Sequence, residues 1–269
     1  MVDPAKLTED QASRLIQLYE NGDRKIQAEI NRVLLKGGDP AYYRAVQRNI
    51  RAARNKLLVG GREWCDDAIP YLYREGVAYA DDMAFSTHLS AGFGTVHQEA
   101  ASVIAEATYS RLEAVDRTIG RQVDDLFRAL QLEYTQSVVL GIDSVDTAAR
   151  RMREDLASRG VTGFIDRAGR RWDMANYSKM AVHNAAMQSF REGTRIRLLE
   201  HGYDLVVVST HSGACEKCIP WQGRTLSLTG ETPGYPTLEA ARAAGLEHVG
   251  CRHVMTLSPH ERERDKWKS

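Results

Sequence analysis

Between Val96 and Leu130, the residues Val96, Val103, Ile104, Leu112, Val115, Ile119, Val123, Leu126, Phe127 and Leu130 fall at the spacing of one helix face. At 3.6 residues per turn the stripe runs for about ten turns. Helices of that length are usual in bundles and elongated proteins and unusual in compact enzymes, so this segment commits the N-terminal half to helical architecture. The preceding residues agree. Leu15, Leu18, Tyr19, Ile26, Ile30 and Val33 predict a first helix, stopped by Gly37, Gly38 and Pro40. "AYYRAVQRNIRAARNKL" predicts a second, broken at Gly60 and Gly61. A third candidate carries Pro70, which predicts a kink or split, and ends before the loop at Gly92 and Gly94. "GIDSVDTAARRMREDLASRG" predicts a shorter helix capped by Asp143 or Ser144 and closed by Gly160.

After Gly160 the pattern changes. "GFIDRAGRRWDM" has the form of a short hairpin turning at Ala168 and Gly169, with Trp172 as either a hairpin anchor or a surface contact. A helix follows from Ala175 to Glu200. Tyr177, Met180, Asn184, Met187 and Phe190 mark its core face, and neither His183 nor Asn184 has a catalytic partner at a telling spacing. "YDLVVVSTH" is a strand by its consecutive β-branched residues, with further short strands at "RTLSL" and "HVMTL" and a small helix, "TLEAARAAG", between them. The last ten residues, "HERERDKWKS", read as a polar tail. The expected organisation is mainly α. An elongated long-helix domain (1–159) precedes a small α+β module (160–258) with a Cys3His zinc site, and a tail (259–269) follows.

The chain carries 36 basic and 36 acidic residues, so it is not as a whole the electrostatic partner of nucleic acid or an anionic membrane. Any DNA contact is local. Arg44, Arg48 and Arg51 stand four and three apart and form a basic ridge able to meet phosphates, an acidic protein surface, or solvent and nearby acids. No apolar run approaches the roughly 18 residues needed to span a bilayer. The N-terminus "MVDPAKLTEDQ" lacks the features of a secretion signal, so a cytoplasmic site of synthesis is expected, with cysteines as reduced thiols or metal ligands.

Those cysteines are unevenly placed. Cys215 and Cys218 have the C-x-x-C spacing that lets a tight turn present two thiolates to one tetrahedral metal. Cys251 and His253, two apart, share a face in an extended segment, and Gly250 permits a sharp approach. His248 and His211 are further candidates for the fourth position. Three thiolates and an imidazole make a closed site of the structural zinc type, with no position open to water or substrate. The plain alternative is three reduced, buried, unmetallated cysteines. A redox C-x-x-C would open a helix, whereas this pair leads into "IPWQG". A zinc deaminase needs a His-x-Glu that is absent. The sharper enzymatic alternative is a metal-dependent nuclease or hydrolase using the same cluster, and a third reading is a DNA-binding module led by the arginine ridge.

The succession "GFIDRAGRRWDMANYSKM", "DLVVVSTHSGACEKCIPWQGRTLSLTG" and "YPTLEAARAAGLEHVGCRH" resembles the phage minor capsid protein family, the minor head proteins related to the Mu F-type head morphogenesis module. The likeness covers roughly the last 110 residues. The family's His-Pro-Asn-Cys-Arg-His ending is matched by His248, Cys251, Arg252 and His253, with Val249 and Gly250 in place of Pro-Asn. The resemblance implies a virion head component in few copies, assembled in the host bacterial cytoplasm. It would lie with the portal or the major capsid protein, or both, with packaged DNA a further partner, and would assist head assembly or DNA delivery. It implies no catalytic residues and no small-molecule substrate. Some relatives add a toxin or transferase domain after this module, and the sixteen residues beyond His253 are too few for one. On this reading the cluster is a structural zinc staple, with Trp221 packed beside it and Gly223 turning the chain into the next strand.

Overall fold

The computed structural model describes residues 3–36, 40–84, 93–139, 163–165 and 171–266. Three long helices come first: α1 (Pro4–Lys36), α2 (Pro40–Met83) and α3 (Thr95–Val139). The strands β1 (Gly163–Ile165) and β2 (Arg171–Asp173) pair antiparallel as the expected hairpin, whose turn lies outside the described residues. Then come α4 (Met174–Glu200), β3 (Leu205–Val208), β4 (Thr225–Ser227), α5 (Leu238–Ala243), β5 (Met255–Leu257) and α6 (Pro259–Lys266). The fold is mainly helical with a small three-stranded sheet near the C-terminus, as expected. The helix expected over 141–160 lies outside the described residues, and no described helix is long and apolar enough to cross a membrane.

Two compact units are distinguished. One comprises Met1–Ser13, Trp64–Thr108 and Val182–Ser269, the other Arg14–Glu63 and Tyr109–Ala181. In the second unit α1 buries Leu15, Tyr19, Ile26 and Ile30, α2 buries Val46, Ile50, Ala53 and Leu57, and α3 buries Leu112, Val115, Ile119, Val123 and Phe127. These residues recur every three or four positions, so each helix turns one apolar stripe inward. Arg54 crosses to buried Asp116 with a two-pronged ion pair, Nε to Oδ1 at 2.9 Å and Nη2 to Oδ2 at 2.6 Å. The guanidinium lies where a side chain at Gly120 would stand.

Glycine reading at 60 and 61 is corrected by the structure: α2 runs unbroken through both, and through Pro70. A methyl at Gly60 would collide with Leu18, and one at Gly61 would press on the Tyr19 hydroxyl at 3.2 Å. These glycines bring helices close; they do not end one. The start of the α3 stripe is also corrected, since Val96 and Val103 are 61% and 68% exposed while Ile104 and Leu112 are buried.

In the first unit α2 and α4 cross almost backbone to backbone. A methyl at Gly76 would strike the Phe190 carbonyl oxygen, and one at Gly193 the Tyr73 carbonyl oxygen. The Thr194 hydroxyl donates across the crossing to the Gly76 carbonyl at 3.0 Å. Nearby, Arg197 donates from Nε to Asp81 Oδ1 (2.5 Å) and from Nη1 to Glu200 Oε2 (3.0 Å), where His97 Nε2 also lies at 3.0 Å. On this platform sits the sheet, order β4-β3-β5 and antiparallel throughout, with Val206 opposite Leu226 on one side and Leu257 on the other. Its core joins Tyr79, Met83, Phe190, Val206, Leu226, Leu238 and Leu257 with Cys218 and Cys251.

The expected polar tail is instead α6 for most of its length. Ser258 starts it, its hydroxyl oxygen accepting the His260 N–H, and Glu261 is buried with Oε1 accepting the N–H groups of Asp204 and Leu205, both at 3.0 Å. One buried acid thus anchors a helix with almost no apolar pattern. Asp204 in turn ties down the loop after β4, accepting from the hydroxyls of Ser227 (2.7 Å), Thr229 (2.7 Å) and Thr232 (2.5 Å).

Candidate metal centre

Two loops meet at the far end of the sheet. The first leaves β3, where the Gln222 side-chain oxygen accepts the His211 N–H at 2.7 Å, and enters a tight turn in which the Cys218 N–H donates to the Cys215 carbonyl at 2.9 Å. A 3-10 turn, Ile219–Trp221, carries the chain away. Gly223, at φ 69°, then lets its N–H reach the Val208 carbonyl at 2.9 Å and starts β4. Trp221 packs partly buried against the core that holds Cys218 and Cys251. The second loop follows α5, whose first turn is capped by the Thr237 hydroxyl accepting the Ala240 N–H. It makes a turn of the same size, with the Cys251 N–H donating to the His248 carbonyl at 2.9 Å.

The side chains converge. Cys215 Sγ lies 3.0 Å from His248 Nε2, Cys218 Sγ 3.8 Å from Cys251 Sγ, and Cys251 Sγ 3.4 Å from His253 Nδ1. They form two triads that share Cys218, namely Cys215, Cys218 and His248, and Cys218, Cys251 and His253. Within each triad the ligand atoms lie within 4.8 Å of one another. Cys218 is 1% and His253 3% exposed, Cys215 is exposed, and all the cysteines are free thiols. A zinc ion with Zn–S near 2.3 Å and Zn–N near 2.05 Å in a tetrahedron sets S···S edges of about 3.8 Å and S···N edges of about 3.5 Å. The Cys218–Cys251 and Cys251–His253 separations are of that size and the Cys215–His248 separation is about half an ångström shorter, and the sulfur and nitrogen donors are of the kind such an ion takes. The five residues proposed from sequence are therefore together. His211 joins neither triad: its ring lies tilted by 36° against that of His253, 4.1 Å between centroids.

The two thiols of the first turn are pushed in opposite directions by their surroundings. Burial, then Cys215 and Cys251 beside it, push the Cys218 thiol up to about 12. At Cys215 desolvation acts upward but is outweighed by the Cys218 backbone N–H and by the Cys218 and His248 side chains, bringing the thiol down to about 7. Burial, with His211, Arg191 and His248 nearby, lowers His253 to about 4 and keeps it neutral. The buried Cys218 thiol resists ionising because burial and neighbouring sulfurs disfavour its charge, and a divalent cation held among these sulfurs would favour their thiolate forms.

Sequence reasoning missed what holds the second loop. Arg191, buried on α4, donates from Nε to the His253 carbonyl at 2.8 Å and from Nη2 to the Cys251 carbonyl at 2.7 Å. Glu247, the one described non-glycine residue with positive φ, at 57°, lies between Arg191 (3.8 Å) and Arg242 (2.6 Å). Arg191 stands some sixty residues from its partners on an otherwise ordinary helix, and nothing local marks it. The basic ridge is elsewhere. Arg44, Arg48 and Arg51 belong to the other unit and are exposed, and Arg51 lies 3.6 Å from Asp124.

A family model described as phage minor capsid protein 2 matches residues 66–258, most of the chain and all of the Cys/His cluster. No curated protein and no solved structure matches the chain.

Proposed function

The chain belongs to the phage minor capsid protein 2 family, and from that premise we propose that it is a structural protein of a tailed-phage head, present in few copies. It sits with the portal or inner shell and the packaged DNA and assists head assembly or DNA delivery. Its C-terminal module, residues 160–258, is held by zinc bound through Cys215, Cys218, Cys251 and one of His248 or His253. The observation that carries this reading is the placement of Cys218 and Cys251 inside the sheet's own hydrophobic core. A closed set of sulfur and nitrogen donors at that position suits zinc and leaves no site for substrate. Strands of three or four residues bury little apolar surface, and metal binding supplies folding free energy they lack. Zinc here supplies a fixed tetrahedral cross-link between two loops and no reaction.

The test joins location to metal. Heads purified on a gradient from phage-producing cells are assayed for this chain and for zinc, beside heads made with the Cys218→Ser protein. Co-sedimentation of the wild-type chain in few copies, one zinc per purified chain, and loss of both in the variant support the proposal. A wild-type chain that stays at the top of the gradient, or that nicks DNA when magnesium or manganese is added, overturns it.

A further inference from the structure

Five donors surround a site that takes four. We propose that His248, through Nε2, is the fourth ligand, and that His253 is a positioning residue that donates its Nδ1–H to the Cys251 thiolate. This rests on the zinc reading above and goes past it by separating two histidines that sequence leaves equivalent.

The backbone supports the choice. Cys215–Cys218 and His248–Cys251 are turns of equal span, each closed by a 2.9 Å bond from the N–H of its last residue to the carbonyl of its first. Each turn presents its first and last side chains on the same side: Cys215, Cys218 and His248 have ligand atoms within 4.8 Å of one another, and Cys251 brings its sulfur to 3.8 Å from that of Cys218. His253 lies beyond the second turn, where Arg191 holds its carbonyl.

Proton placement supports it independently. His248 Nδ1 is 2.7 Å from the Val249 carbonyl, which places the proton on Nδ1 and leaves the Nε2 lone pair aimed at Cys215 Sγ, 3.0 Å away. A metal-bound histidine that donates its other N–H to a backbone carbonyl has the usual outer support of such a ligand. For His253 the reverse holds. Binding a metal through Nδ1 would put its proton on Nε2, which is buried and has no partner among the described residues. An N–H in that position lacks an acceptor. With the proton on Nδ1, 3.4 Å from Cys251 Sγ, the same ring makes an N–H···S bond and wastes no donor. The bond also offsets charge, because three thiolates around a dication leave one net negative charge. Arg191, bound to the carbonyls of Cys251 and His253, lies on that same side.

The experiment loads the full chain with Co(II), whose d–d and thiolate charge-transfer absorption reports the number of sulfur donors. The wild-type chain should give a tetrahedral three-sulfur, one-nitrogen spectrum. His248→Cys should bind Co(II) with a spectrum shifted to four sulfurs. His253→Cys should keep the wild-type envelope. His253→Gln should also keep it, while chelator competition shows affinity reduced by about 10–100-fold, the usual loss for an outer-sphere partner. Because the cysteine variants keep a full donor set, the reading does not depend on a variant that fails to fold. A four-sulfur spectrum in His253→Cys with an unchanged one in His248→Cys overturns this assignment and leaves the zinc reading standing. A wild-type chain that binds no Co(II) overturns both.

Discussion

Replacing Arg191 with methionine keeps most of its volume and removes its charge and donors. The carbonyls of Cys251 and His253, which it bonds at 2.7 and 2.8 Å, are then left unpaired at a buried position. Each such loss costs about 1–3 kcal/mol. Glu247 retains Arg242 at 2.6 Å, so no carboxylate is stranded and no larger penalty is added. The expected destabilisation is about 2–5 kcal/mol in urea unfolding followed by circular dichroism. Arg191→Lys should recover less than half of it, because a single ammonium cannot reproduce the fork that serves two carbonyls at once. Both carbonyls flank Cys251, so chelator should also strip metal from the methionine variant faster than from wild type. A loss under about 1 kcal/mol, or full recovery by lysine, would refute the view that the guanidinium fixes this loop.

Gly76→Ala should destabilise strongly, since its methyl meets the Phe190 carbonyl oxygen and the helices must part by more than about 1 Å; a thermal melt at or above the wild-type midpoint would contradict the close crossing. Asp204→Asn should cost up to about 2 kcal/mol at neutral pH. Burial acts to raise the Asp204 carboxyl, but the hydroxyls of Thr232, Ser227 and Thr229 outweigh it and hold it near 2, below the usual 3.8. For a depressed acid the stabilisation is complete above the unfolded value and is lost as pH falls through the folded one, so wild type and variant should converge between about pH 4 and 1. A gap between their urea midpoints that is as large at about pH 1 as at neutral pH would count against the carboxylate as its source.

Helix existence was legible because a 3.6-residue period survives in one dimension: α1 follows its stripe and α3 does so from Ile104 to Phe127, whereas α4 buries Met187 and Phe190 of its expected face and leaves Tyr177, Met180 and Asn184 only partly buried, its core contact running through Ala181, Val182, Ala185 and Ala186. What was not legible was the meaning of glycine. Gly60, Gly61, Gly76 and Gly193 are identical in the chain to glycines that stop helices, yet each is set by an atom of another helix, Leu18, Tyr19, Phe190 or Tyr73. Pro70 misled for a similar reason. One missing N–H in a helix of 44 residues is a small loss beside the burial of Ile69, Leu72 and Tyr73 around it. In α6 the buried residue among the described side chains of the first turn is an acid, Glu261, so a search for apolar periodicity passes over it.

The cluster divides along the same line. Cys215 with Cys218, and His248 with Cys251, are legible because a turn closed over four residues presents its ends together, a property of local spacing. The choice between His248 and His253 is not local. It turns on where each ring's second nitrogen ends up: against the Val249 carbonyl in one case, and in a buried position without a partner in the other. Arg191 reaches the loop from a helix some sixty residues earlier and is invisible for the same reason. These distant contacts also argue for the staple over a reactive centre. Cys218 and Cys251 share the core of the sheet with Val206, Leu226 and Leu257. A metal held there would have its inner side against packed side chains, and on the assignment proposed above His248 would supply its fourth ligand. A reactive zinc needs that position open to water. On the proposed ligand set, the packing around Cys218 and Cys251 that would make metal loss costly to the fold would also keep that side of the metal from a substrate.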